Sequence, residues 1–126
     1  MLSAANHIDW STMRGGWDEN DDKERNCKIT VITMPIYGPF SHEAVYFEWE
    51  DYCVIYEADE QDGILTPNCI KGRLTNEWTR GRMYERKCSP KQVNQRAKTN
   101  SFNFKIYSLI SPNCKDWTKE LVGCFA

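Results

Sequence analysis

The chain is short of the features that usually announce an activity. No apolar run approaches the roughly 18 residues of a membrane-spanning helix, so no membrane association is expected. There is no Walker A loop, GxGxxG, HExxH or GxSxG, which removes the familiar phosphate-binding, dinucleotide-binding, zinc-protease and serine-hydrolase signatures. No CxxC occurs and no cysteine is close in sequence to a histidine, so the paired ligands of a zinc site are missing and neither metal nor cofactor is expected. The acidic run Asp18-Glu19-Asn20-Asp21-Asp22 lacks the spacing and central glycine of a calcium loop. Only two histidines are present, His7 and His42. A small hydrolase or ribonuclease could be assembled from His42 with Glu43, Glu57 and a basic residue, but no spacing ties them together. No catalytic residue is therefore assigned, and neither histidine is expected to matter for activity. A net charge of only −2 excludes, by composition, a strongly basic nucleic-acid binder. No asparagine has Ser or Thr two positions on, so no N-glycans are expected.

What is present begins with an even, widely spaced set of six cysteines: Cys27, Cys53, Cys69, Cys88, Cys114 and Cys124. In a small chain this reads as three disulfides, each stabilising by about 2–4 kcal/mol. Disulfides imply an oxidising compartment, so a secreted, extracellular protein is expected. The N-terminus MLSAANHIDW has neither the basic start nor the apolar stretch of a signal peptide, and the chain reads as a mature form. Five Trp, six Tyr and five Phe supply a core for one domain in 126 residues.

Residues 1–26 read as a flexible acidic arm, because WDENDDKERN cannot bury enough apolar surface to offset its ordering entropy; Trp10 and Trp17 are the residues that could dock it. Residues 27–126 read as one α+β domain. CKITVITM is a strand by composition, stopped by Pro35, Gly38 and Pro39. Ser41 as N-cap, with Phe40 and Val45 as a hydrophobic staple, predicts a helix over about 42–51, with a strand as competitor. CVIYEA at 53–58 is a strand, DEQDGILTPN a loop with two turn signals, and 80–88 a strand with basic residues on one face. Ser89-Pro90 and Ser111-Pro112 are helix starts, predicting helices over about 90–98 and 112–122. SFNFKIYSLI alternates apolar and polar residues and predicts a half-buried strand. The expected fold class is α+β: a small disulfide-stapled sandwich with an antiparallel sheet of about four strands and two or three helices.

These elements lead to a disulfide map. In a split arrangement with spatial strand order 4-1-3-2, Cys27, Cys53, Cys88 and Cys114 share one end of the sheet. Strand adjacency then pairs Cys27 with Cys114 and Cys53 with Cys88, and the last helix carries Cys124 back to Cys69.

Charge is unevenly shared. Residues 1–62 carry fourteen acids and four bases, a net of −10, whereas residues 63–126 carry four acids and twelve bases, a net of +8. The two halves can compensate each other on folding. The sharper alternative is a basic surface over 71–98 that meets an acidic partner or a phosphate polymer. Trp78 flanked by Arg73, Arg80 and Arg82 is the best candidate for such a surface, since Trp and Arg are common interface anchors.

The segments NCKITVITMPIY, FEWEDYCVIYEADE and FNFKIYSLI followed by PNCKDW, with the mature size and the six cysteines, resemble the LARS family (Leptosphaeria avirulence and suppressing) of secreted fungal effectors over about residues 27–124. The resemblance implies a twisted antiparallel sheet with helices and conserved disulfides. It also implies a non-catalytic, monomeric protein whose partner is a host plant protein, either a resistance receptor or its guarded target. Such a protein acts in the apoplast or after translocation into host cells, and one member can mask recognition of another. No individual functional residue carries over. The alternatives are a secreted toxin-like ribonuclease or other small hydrolase, and a secreted protease inhibitor.

Overall fold

The computed structural model describes residues 18–109 and 112–126. Five strands form one antiparallel sheet: β1 (Arg25–Tyr37), β2 (Phe40–Glu48), β3 (Cys53–Gln61), β4 (Ile64–Lys71) and β5 (Thr79–Cys88). Two helices follow among the described residues, α1 (Pro90–Lys98) and α2 (Cys114–Gly123). The sheet order is β4-β3-β2-β1-β5. β1 to β4 form a meander, and β5 is then added beside β1 at the opposite edge. The α+β class holds, with five strands and two helices.

Local chemistry explains the hairpins. Gly38-Pro39 joins β1 to β2, with Gly38 at φ +54° as the first residue of a two-residue loop demands. Asp62-Gly63 joins β3 to β4 with both residues at positive φ, 53° and 78°. This pair is the preferred turn for a right-twisted hairpin. β4 contains Pro67, which is tolerated because β4 is an edge strand that need not donate on both sides.

One sheet face carries the main core. Ile29, Val45, Phe47, Trp49, Val54, Tyr56 and Leu65 pack against Val93 and Ala97 of α1 and Trp117 and Leu121 of α2. The buried indole N–H groups are satisfied: Trp49 donates to the Cys88 carbonyl at 2.9 Å and Trp117 to Asn103 Oδ1 at 2.6 Å. α1 starts as the sequence predicts. Ser89 and Gln92 form a reciprocal capping box, and Pro90 occupies the first turn. α2 is capped by Asn113 rather than Ser111, which lies outside the described residues.

Three expectations are corrected. Residues 42–51 do not form a helix. Ala44, Val45, Tyr46 and Phe47 are consecutive and all buried, because β2 is covered on both faces, and such a strand reads as an unbroken apolar run. The loop expected over 59–68 is mostly β3 and β4. The strand expected over 102–110 is absent among the described residues, with a single bridge Ile64–Ile106 in its place. There the asparagines capture the backbone: Asn103 Nδ2 donates to the carbonyls of Ala97 and Lys98, and the Asn103 N–H bonds to the Asn100 carbonyl. Those bonds favour turns over a ladder.

The start of the chain is also different from a loose arm as far as it is described. Residues 18–24 lie outside any strand or helix but are held in place. The Asp21 carbonyl accepts from the Lys91 N–H at 2.9 Å, Glu24 accepts from Gln92 Nε2 at 2.9 Å, and Asp21 pairs with Arg25 at 2.9 Å. Residues 1–17, including Trp10, Trp17 and His7, lie outside the described residues.

Candidate partner-binding surface

β4 and β5 occupy opposite edges of the sheet, so their connection must cross three strands. Four inter-strand spacings amount to about 19 Å, and the eight-residue step from Lys71 to Thr79 can reach about 26 Å when extended. Residues 72–78 therefore run as a strap over the face that the helices leave uncovered, with a turn at 76–77 where the Trp78 N–H meets the Thr75 carbonyl at 3.4 Å. Gly72, at φ +128°, launches it and donates to the Cys53 carbonyl at 3.0 Å. Beneath the strap lies a small second core of Ile32, Ala44, Tyr46 and Ile55, closed over by Ile70, Leu74 and Trp78. The Leu74 N–H donates to the Tyr46 hydroxyl at 3.4 Å. Burial is the first cause pushing that hydroxyl up to about 12.

The strap ends over a polar pair. His42 Nε2 donates to Glu57 Oε1 at 2.7 Å, and Asn68 Nδ2 donates to Glu57 Oε2 at 2.7 Å. The side chains of His42 and Glu57 are only 12% and 7% exposed. The Trp78 ring lies 5.7 Å from the His42 ring. Burial works most strongly against a charge on His42. Contacts with the Cys114 side chain and the Glu57 carboxylate outweigh it and push His42 up to about 10. His42 is thus an imidazolium at neutral pH, paired inside the fold. Among the described residues no group of three His, Cys, Asp or Glu side chains could hold a metal ion.

The four residues expected to bind a partner do not form one patch. Trp78 and Arg80 share the strap face: Trp78 is half-buried against the core that contains Tyr46, and the Arg80 guanidinium lies 5.6 Å over the Tyr46 ring. Arg73 sits at the strap's other end, in a hollow of about 380 Å³ shared with Lys28, Glu48, Glu50 and Glu85. Arg82 points to the helix side, among Glu43, Lys115 and Asp116. Arg86 and Lys87, which were not singled out, are exposed on β5 and extend the basic edge. Their signal was the alternation within RGRMYERKC, which marks an edge strand rather than a loop.

All six cysteines are free thiols in the structure. The pairing Cys27–Cys114, Cys53–Cys88 and Cys69–Cys124 depended on a sheet order the protein does not have. Cys53 and Cys88 lie on strands separated by β2 and β1, about 14 Å in strand spacings alone. Cys114 neighbours His42, which pairs with Met34 at the far end of β1 from Cys27. Cys124 shares a hollow with Cys88 and Lys87 beside β5, whereas Cys69 is on β4 at the opposite edge. The contact the fold does make is Cys27 with Cys88, diagonal neighbours on β1 and β5. The side-chain interaction between the two is the leading cause on both, holding the Cys27 thiol above the ordinary range and the Cys88 thiol below it.

No family model matches the chain, and neither a curated protein nor a solved structure does.

Proposed function

We propose that this chain is a secreted, non-catalytic effector of the kind deployed by plant-pathogenic fungi, and that it acts by docking on a host plant protein. The observation that supports this reading best is the Trp78–Arg80 end of the strap. Trp78 packs on the small core that contains Tyr46, and the guanidinium of Arg80, at the start of the basic strand β5, lies over the same Tyr46 ring. Rigid Trp and Arg groups at the centre of a surface are the usual energetic anchors of protein interfaces. The strap is fixed at both ends by strands, so its residues are presented with little ordering cost on binding.

The His42–Glu57 pair is the observation that favours a small hydrolase instead. A general base must be unprotonated at working pH and within reach of its substrate. An imidazole pushed up to about 10 and 12% exposed meets neither condition. The pair acts as a structural cation and anion beneath the strap.

The test uses the secreted chain in leaf tissue, with chemical cross-linking and recovery of the bound plant protein. Trp78→Ala and Arg80→Glu are expected to lose that protein while keeping the far-UV circular dichroism of the parent. Retention of the same plant protein by both folded variants would contradict the reading, and so would nuclease or protease activity of the purified chain that is lost in a His42→Ala variant shown by circular dichroism to remain folded.

A further inference from the structure

We propose that the outer edge of β5 takes up an acidic, extended segment of a partner protein as a sixth strand. This rests on the partner-binding reading above and names the chemistry of what is bound. The two edges of the sheet are treated differently by the fold. The β4 edge is partly closed by the chain itself: the Leu65 N–H donates to the Lys105 carbonyl, the Phe104 N–H to the Leu65 carbonyl and the Tyr107 N–H to the Gly63 carbonyl, each at 2.8 Å. Further along, Pro67 removes a donor. The β5 edge has no such cover among the described residues. Among the described residues, no backbone group from Arg80 to Lys87 bonds a segment other than β1, and the Glu85 carbonyl alone accepts from a side chain, that of its neighbour Arg86.

The side chains on this edge select what can pair with it. Arg80, Arg82, Arg86 and Lys87 stand against one acid, Glu85, a net of +3 on one strand. Arg80 lies on the strap face and Arg82 on the helix face, so cations flank an incoming strand on both sides. Met83, 50% exposed, offers apolar contact between them. A second copy of this chain does not suit the edge, because laying β5 on β5 sets arginines against arginines. An extended segment with carboxylates at alternate positions suits it: the main chain supplies the ladder and the charges set specificity and register. The bulge opposite Val31, where Thr30 pairs with Met83 but Ile32 with Arg80, limits the straight run to Met83–Cys88 and fits a short segment of about six residues.

The experiment uses the whole chain and three synthetic peptides of about twelve residues. One alternates Glu and Val, one is the same with alternate backbone amides N-methylated, and one alternates Lys and Val. Binding is read by calorimetry at about 50 and about 500 mM salt, and by amide hydrogen exchange along β5. The Glu–Val peptide is expected to bind, to slow exchange of alternate β5 amides, and to lose about tenfold or more in affinity at high salt and again with Arg82→Glu/Arg86→Glu. The N-methylated and Lys–Val peptides are expected not to bind. Equal binding of the N-methylated peptide would overturn the proposal, because attraction would then be electrostatic without strand pairing. So would full protection of the outward β5 amides in the free protein, because the edge would already be covered. If peptide pairing fails while Trp78→Ala still loses the plant protein, strap docking stands without edge pairing; if both fail, the partner-binding reading falls as well.

Discussion

Replacing His42 with alanine removes the cation from a pair that is almost wholly out of water. Glu57 remains as a carboxylate whose side chain is 7% exposed, accepting from the neutral amide of Asn68. Stripping one partner from a buried ion pair costs about 3–5 kcal/mol, chiefly because the other charge stays behind without compensation. Domains of this size have about 5–15 kcal/mol in total, so the loss is severe. pH dependence gives an independent handle. His42 is pushed up to about 10 in the fold from an ordinary 6.5. A raised folded value means the stabilisation is complete below about pH 6.5 and is lost as pH rises through about 10. At 1.36 kcal/mol per unit the ceiling is about 5 kcal/mol, shared between the Cys114 contact, the larger raising cause, and the Glu57 carboxylate. Urea unfolding at several pH values measures both. His42→Ala should fall by about 3–5 kcal/mol at pH 6 and lack the decline that wild type shows between pH 6.5 and 10. Adding Glu57→Gln should restore about 1–2 kcal/mol, since a neutral amide no longer needs the cation. A loss below about 1 kcal/mol at unchanged m-value, or no relief from Glu57→Gln, would refute the buried-pair account.

Other consequences follow from the packing. Under mild oxidation Cys27 should bond to Cys88, read by non-reducing peptide mapping; either residue bonded elsewhere would contradict the β1–β5 register. Gly81→Ala should destabilise by about 1–3 kcal/mol by urea unfolding, because its Cβ would meet the Val31 carbonyl oxygen at 2.9 Å; a neutral result would mean that the bulge yields. A chain starting at Arg25 should melt below one starting at Asp18, since it loses the Asp21–Lys91 and Glu24–Gln92 bonds. Equal melting temperatures would show that segment 18–24 adds no stability. Ser89→Ala should cost about 1 kcal/mol by removing the α1 capping box, measured by the same urea titration.

The sequence was legible where one local signal dominated. β1, β3 and β5 combine β-branched or alternating residues, although β1 runs through the expected stop at Pro35 to Tyr37, and α1 carries Ser-Pro with Gln92 three residues after Ser89. It misled where tertiary cover changed the meaning of a pattern. β2 is apolar on both faces because the strap buries one side and the helices the other, and nothing within 40–48 announces the strap. The Asp62-Gly63 pair did carry the β3–β4 hairpin, but Pro67 in the following run disguised β4, which only an edge position accommodates. The alternation of Phe102, Phe104 and Ile106 is real, yet Ile106 is 80% exposed and asparagine side chains turn the backbone away from a ladder. Those errors together gave the wrong sheet order, and with it the wrong cysteine neighbours. The basic character of 71–98 was visible, but the division of Arg80 and Arg82 between opposite faces depends on the bulge in β5. The His42–Glu57 pair joins residues fifteen apart on adjacent strands, a relation that could not emerge while 42–51 was read as a helix.

The most direct test of the docking account is a photo-crosslinking map in leaf tissue. A photo-reactive residue is placed at Trp78 on the strap, at Met83 on the open edge, or at Glu60 on the β3–β4 hairpin at the far side of the sheet. The account predicts one plant protein captured from the strap and edge positions, lost at high salt, and not captured from Glu60. Capture from Glu60 alone, or equal labelling from all three positions regardless of salt, would contradict it.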